Sequence, residues 1–409
     1  MIQTIRVAAG RAARTAAYWK GYAWGAAAVA MVYLLMASAL ALPLLKPSPY
    51  NSYALQAMVW RSGHVALPRN FEWLELAVYQ GRYYVSFPPF PTLPMWALSF
   101  LFGQSVPSML MNFFMLMGSY TVGYAIARRL HHADLPAAAF AVFWVAGCNL
   151  LEVSLFGGVW NIAQGMAFLL TMLAVYGSLR AEGAWSFIGP ICLACAVGCR
   201  PFQALYAPVV LQALWRGLRC SGRDMRDTLA RIAPRLIIPA LIACAYGAYN
   251  AARFGNPLEF GHNYLPEYLR AEHGQFSMAY VLQNIRNIMR MPYVEDARLR
   301  FPTFFGFAFY LANPLYLLAG CRFLEACFRR RMDVTGALLW GCAGVHFCLF
   351  LLHKGFGAWQ FGTRYLIDLL PMLGWFVLRE KRPMRLTEGL IMLWAVGFNI
   401  YGGLLFHLG

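Results

Sequence analysis

The chain has 409 residues, 60% of them hydrophobic and 12% charged, and a formal net charge of +17 from 34 Lys and Arg against 17 Asp and Glu. Soluble domains carry roughly 25% charged residues; here apolar runs of about 17–25 residues, the length that crosses a bilayer, recur along the chain. That excludes a soluble globular protein. The absence of alternating strand patterning excludes a membrane barrel, which leaves an all-α polytopic membrane protein in a single transmembrane domain over residues 1–409.

The first expected span is Gly21 to Leu45, preceded by Arg6, Arg11, Arg14 and Lys20. Positive flanks stay in the cytoplasm, so the N-terminus is expected inside. Ala37-Ser38-Ala39 resembles a signal-peptide cleavage site, but the apolar run is too long for one and continues to Leu45. Ten more spans are expected near 105–127, 136–156, 161–178, 185–199, 202–216, 235–252, 303–324, 334–353, 365–379 and 386–408. The total is about 11 transmembrane helices, with the C-terminus outside. Two substantial outer loops result, 46–104 with juxtamembrane elements and 253–302.

Within the first loop, 51–61 is amphipathic and aromatic, as a helix lying along the interface would be. Leu76 to Tyr79, a Gln80-Gly81 turn and Arg82 to Phe87 read as a hairpin. The segment 88–104 holds four prolines and is expected to be re-entrant or interfacial rather than spanning. Charge supports this. The expected topology puts 21 of the 34 Lys and Arg inside, and inverting everything after 104 would misplace 17 of them. Thirteen basic residues remain outside, more than orientation requires, and anionic lipid phosphate is their natural partner.

The two outer loops contain no cysteine, so no disulfide framework is expected. Cys192, Cys195 and Cys199 share a helical face, but without a neighbouring acid or histidine they read as packing residues, not metal ligands. Glu72 and Glu75 are the only acidic residues of the first loop. A carboxylate partly desolvated among aromatics can act as general base toward an alcohol; the alternative is a pair of solvated charges meeting Arg69 or Arg82.

The run from Glu75 through Gly81 and Tyr84 to Pro88-Pro89 resembles the first-loop signature of bacterial GT-C glycosyltransferases. These are multi-helix enzymes, related to protein mannosyltransferases and aminoarabinose transferases, that use polyprenyl-phosphate sugars. Two further stretches match in order. One runs from Tyr249-Asn250 through Arg253 and Pro257 to His262 and Tyr264. The other runs from Trp359 through Gly362, Arg364 and Asp368 to Pro371.

The resemblance implies a GT-C-like bundle, a polyprenyl-phosphate-linked sugar donor, and transfer with inversion to a hydroxyl of a cell-envelope glycan, lipid or protein. The site would face away from the cytoplasm, in a bacterial inner membrane. It also implies a first-loop acid as general base. Glu75 holds that position, although Asp is usual there, and this leaves Glu72 as a competitor. A Lys-containing variant of the Pro segment is absent, with Phe87 in its place.

Arg364, Arg200, Arg82, Arg253, His262, Tyr264 and Tyr84 are the expected donor-binding residues. An arginine at a membrane boundary costs several kcal/mol unless paired, so Arg364 and Arg200 need either the donor phosphate or a structural partner such as Asp368. Glu152, late in the third span, is expected to line the same cavity or to sit among headgroups. His346 and His353 read as packing or interfacial residues. A divalent cation (Mg or Mn) is compatible with the chemistry, but Glu72-Trp-Leu-Glu75 is not a DxD motif. No Walker loop or GxGxxG motif signals a nucleotide, and nothing signals nucleic acid. Two rivals stand: an O-antigen-ligase-like or polymerase-like enzyme using diphosphate-linked glycans, which would rely on late-loop Arg and His, and a transporter, which would show charges at mid-membrane and internal repeats.

Overall fold

The computed structural model describes residues 2–220, 222–380 and 382–408, with side chains from Trp19 onward. The side chains of Arg6, Arg11 and Arg14, and Lys381 of the last inner cluster, lie outside the described residues. The α-helices in chain order are α1 (Ile2–Ala39), α2 (Ser52–Arg61), α3 (Thr92–Phe102), α4 (Ser108–Arg129), α5 (Asp134–Ala146), α6 (Leu150–Ser154), α7 (Val159–Ser178) and α8 (Trp185–Val197). There follow α9 (Ala207–Arg219), α10 (Met225–Phe254), α11 (Pro266–Leu269), α12 (Val281–Ile288), α13 (Phe309–Ala312), α14 (Leu315–Phe328), α15 (Val334–Leu352), α16 (Leu370–Arg379) and α17 (Leu386–Leu408). Two small antiparallel hairpins complete the fold, β1 (Leu76–Tyr79) with β2 (Arg82–Val85) and β3 (Tyr293–Glu295) with β4 (Arg298–Arg300).

Every expected span contains helix, but the spans are not equally continuous. Six described helices are long and apolar enough to cross a membrane: α1 from Trp19, α4, α7, α10, α15 and α17. The other five windows hold shorter or broken segments. The window at 136–156 breaks between α5 and α6. Those at 202–216 and 365–379 begin as 3-10 turns, Pro201–Tyr206 and Arg364–Leu369, before becoming α9 and α16. Proline explains much of this, since Pro208 and Pro371 sit in the first turn of their helices, where the missing N–H costs nothing, and would kink or break them further in. α10 starts at Met225, earlier than expected, because Asp224 caps it by accepting from the Asp227 N–H at 2.7 Å.

The segment 88–104 does not span. Its helix, α3, has 11 residues; at 1.5 Å per residue that is about 17 Å, roughly half of the hydrocarbon thickness. α3 packs against α2 instead.

A continuous core joins α1, α4, α5, α7, α15 and α16 around buried Tyr33, Tyr120, Trp144, Phe168 and Trp375. Trp144 donates its indole N–H to the Leu370 carbonyl at 2.9 Å, tying α5 to α16. A second cluster holds the first outer loop on the bundle: Tyr53, Leu67, Leu76, Val85 and Phe87 pack against Met95, Ile162 and Met166. Near the chain's third motif, Gly306 has φ +77, and a Cβ there would lie 1.6 Å from the Gly362 carbonyl oxygen. Only glycine permits this approach. It lets residues 303–307 pair with 358–362, which fixes the entry to Arg364.

Candidate active site

The first-loop hairpin forms where the sequence places it. Leu76 pairs with Val85 and Tyr79 with Arg82, and both turn residues, Gln80 and Gly81, have positive φ. That is the backbone of a two-residue I′ turn, which Gly81 adopts freely. Glu75 sits just before β1, and the Ser86 hydroxyl donates to its carbonyl at 2.8 Å, closing the base of the hairpin. Arg253, at the end of α10, donates to the Val85 carbonyl at 2.9 Å and to Asn250 Oδ1 at 2.8 Å.

Three side chains then line up. The Trp160 indole N–H, in the first turn of α7, donates to Glu75 Oε2 at 2.9 Å. The Arg364 guanidinium carbon lies 5.9 Å from the Trp160 ring centroid. One turn further along α7, on the same face, the Gln164 amide donates to the Arg364 carbonyl at 2.5 Å and to Asp368 Oδ1 at 3.1 Å. Arg364 forms no ion pair among the described residues, and its buried Nε has no hydrogen-bond partner there. Asp368, which the sequence offers as a partner to either arginine, takes Arg200: Nε donates to Oδ2 at 2.8 Å. Arg200 also lies over the Tyr365 ring at 4.6 Å.

Beneath this row is a cavity of about 220 Å³ lined by Phe87, Arg200, Phe202, Glu259, His262, Gln275, His346, His353, Tyr365 and Asp368. Phe87 meets the Trp160 ring edge-on at 6.5 Å, so the cavity and the Glu75 row are contiguous. His353 holds its place through Gly355 O at 2.6 Å and Gln275 at 3.1 Å. Burial, then the charges of His353 and Arg200, hold the His262 imidazole down to about 3. It is therefore a neutral hydrogen-bonding group at physiological pH, not a cation for phosphate. Glu267, at the start of α11, is pushed above the usual carboxylate range by burial and then by the charge of Glu75, with Lys354 opposing. Lys354 bonds the Glu267 carbonyl and lies 5.9 Å from the Tyr268 ring.

The structure brings Glu75, Arg364, Arg200, Asp368 and His262 into one neighbourhood. It does not bring in the rest. Glu72 is exposed and makes no hydrogen bond or ion pair among the described residues, and neither Arg69 nor Arg82 pairs with it or with Glu75. Arg82 is exposed at the hairpin turn. Arg253 is only 2% exposed and is occupied by Val85, Asn250 and the rings of Tyr249 and Phe254, so it braces the hairpin and is not open to a phosphate. Tyr84 and Tyr264 pack on Phe254. Glu152 is buried away from the cavity against His407, 3.3 Å from its Nε2. Among the described residues no three His, Cys, Asp or Glu side chains converge as a metal site would require. Sequence reasoning missed Trp160, Gln164, Glu267 and Lys354. The first two are an uncharged pair four residues apart in the first turns of an apolar helix, which by itself carries little signal.

The Arg200–Asp368 pair gives the first expected result. Asp368→Asn leaves a guanidinium largely buried and uncompensated, at a cost of about 3 kcal/mol, the lower end for a broken buried pair because Arg200 keeps 21% of its side chain exposed. Thermal unfolding in detergent should show a clear drop; an unchanged midpoint would mean that the pair is solvated.

The architecture is that of a GT-C-like multi-pass membrane protein. Apo ArnT from Cupriavidus metallidurans matches it with a TM-score of 0.52 at 16% identity, over 88% of this chain and 59% of that one. ArnT bound to undecaprenyl phosphate matches at 0.50 and 14%, over 87% and 59%. The apo Archaeoglobus fulgidus oligosaccharyltransferase matches at 0.54 and 11%, over 94% and 55%. The chain therefore spans somewhat under three-fifths of the length of each of these proteins. No protein-family model matches the sequence, and no curated protein matches it.

Proposed function

We propose that the protein is a membrane glycosyltransferase that moves a sugar from a polyprenyl-phosphate donor to an acceptor hydroxyl. Glu75 takes the hydroxyl proton, the freed oxygen attacks the anomeric carbon, and the bond from that carbon to the phosphate oxygen breaks. The lipid phosphate leaves, and in-line attack inverts the anomeric centre. Arg364 faces the phosphate and stabilises the charge that develops on it. The single observation that carries this reading is Trp160: one indole contacts both a carboxylate and an arginine that has no ion pair among the described residues, the two charges that the reaction needs.

The likeness to ArnT with undecaprenyl phosphate supports the donor class, and the excess of inner-end arginines supports a site on the extracytoplasmic face of a bacterial inner membrane. The acceptor is a cell-envelope glycan, lipid or protein. Mass spectrometry of glycolipids, polysaccharides and glycoproteins from a deletion strain tests this: one class should lose a sugar that the complemented strain restores. Identical profiles in all three classes would remove the proposal. A reaction run instead by late-loop Arg and His on a diphosphate-linked glycan would survive loss of both Glu75 and Glu72.

A further inference from the structure

The far ends of α7 and α15 surround a second cavity, of about 560 Å³. α7 has 20 residues, so this cavity lies roughly 30 Å from the Glu75 row. Its lining comes from α7, α9, α14, α15 and α16 and from the α14–α15 connection, and includes Thr335, Trp375, Arg216, Arg331 and Arg379.

Thr335 and Trp375 are each 2% exposed, and neither the Thr335 hydroxyl nor the Trp375 indole N–H has a hydrogen-bond partner among the described residues. A buried donor left without an acceptor costs about 1–3 kcal/mol, and two of them line this one cavity. The charges around them are lopsided. Asp333 accepts from both Arg216 and Arg379 at 2.5 Å. Glu380 is taken by Arg322 at 2.7 Å and by Arg382 at 3.3 Å. Arg331 has no ion pair and no side-chain hydrogen bond among the described residues. Membrane orientation accounts for arginines at this end, but it requires no buried neutral donors beside them.

We infer that this cavity binds a phosphate group, which accepts from Thr335 and Trp375 and is neutralised by Arg331 with Arg379. The phosphate belongs either to the headgroup of an anionic phospholipid in the leaflet at that end or to free inorganic phosphate. Neither source depends on the function proposed for the opposite end.

The test uses the full-length protein in detergent. Native mass spectrometry is run with phosphatidylglycerol and with phosphatidylcholine of the same acyl chains, and thermal unfolding with millimolar inorganic phosphate against chloride of equal ionic strength. The wild type should retain phosphatidylglycerol in preference to phosphatidylcholine. Arg331→Gln, a change at an exposed position that leaves the unliganded melting point in place, should weaken that retention about tenfold, the worth of one charge-assisted hydrogen bond. Thr335→Val should act in the same direction. Stabilisation by inorganic phosphate that is lost in Arg331→Gln, with no preference between the two lipids, also upholds the site and assigns it to soluble phosphate. Equal retention of both lipids together with no phosphate effect, or effects identical in wild type and both variants, would overturn the inference.

Discussion

Glu75→Gln is expected to abolish sugar transfer while leaving the protein folded and inserted. The amide keeps the side chain's shape and can still accept from the Trp160 indole, which meets Glu75 Oε2 at 2.9 Å. What it loses is the capacity to take a proton, and a positioned general base contributes roughly 10²–10⁴ in rate. The loss should fall on kcat with little change in donor KM, because the arginine side of the site is untouched. Glu75→Asp should be partly active, since the shorter side chain withdraws from Trp160. Glu72→Gln, at an exposed and unbonded position, should behave as wild type. A Glu75→Gln enzyme with normal turnover would move the base elsewhere, and a dead Glu72→Gln would say where.

Arg364 carries the second large effect. It is the arginine of this neighbourhood that makes no ion pair among the described residues, whereas Arg200 is held by Asp368. Arg364→Ala should raise donor KM roughly tenfold or more and lower kcat by about 10²–10³, the scale for removing a donor aimed at developing charge. Arg364→Lys should recover binding better than turnover, because an ammonium supplies the charge without the planar fork. Transfer assays with a synthetic short-chain polyprenyl-phosphate sugar separate the two constants. Unaltered KM and kcat in Arg364→Ala would assign the phosphate to other groups.

The membrane class and the positions of the apolar helices were legible because composition is a property of whole segments. The β1–β2 hairpin was legible because Gln80-Gly81 is a strong local turn signal, and α2 because its residues are amphipathic at helical spacing. The breaks in the shorter spans were harder to read. Pro208, Pro314 and Pro371 lie inside apolar windows, and hydropathy averages over them. The roles of the arginines were the least readable part. Arg253 and Arg364 look alike in sequence, each beside aromatics at an outer helix end. Only the fold shows that Val85 and Asn250 consume the first and that Asp368 turns to Arg200 instead of the second. Trp160 and Gln164 were overlooked for the opposite reason: an uncharged pair at the head of an apolar helix attracts no notice until Glu75 arrives from 85 positions away.

α10 is fastened chiefly at its two ends, with Tyr246 donating to the Ala194 carbonyl at 3.3 Å between them. Its buried residues are Thr228, Ile232 and Arg235 at one end and Asn250, Arg253 and Phe254 at the other. Arg235 is held by the Ser186 hydroxyl at 3.0 Å, Arg253 by the strand that carries the reactive loop, and Pro234 and Pro239 interrupt the hydrogen-bond ladder near the first of these anchors. A span clamped this way answers to the thickness of the lipid around it: when the bilayer thins or thickens, the helix tilts or bends at the prolines, and the displacement arrives at Val85. On the role proposed for Glu75, the brace makes transfer sensitive to the surrounding lipid, and rates measured in bilayers of different acyl-chain length are expected to differ.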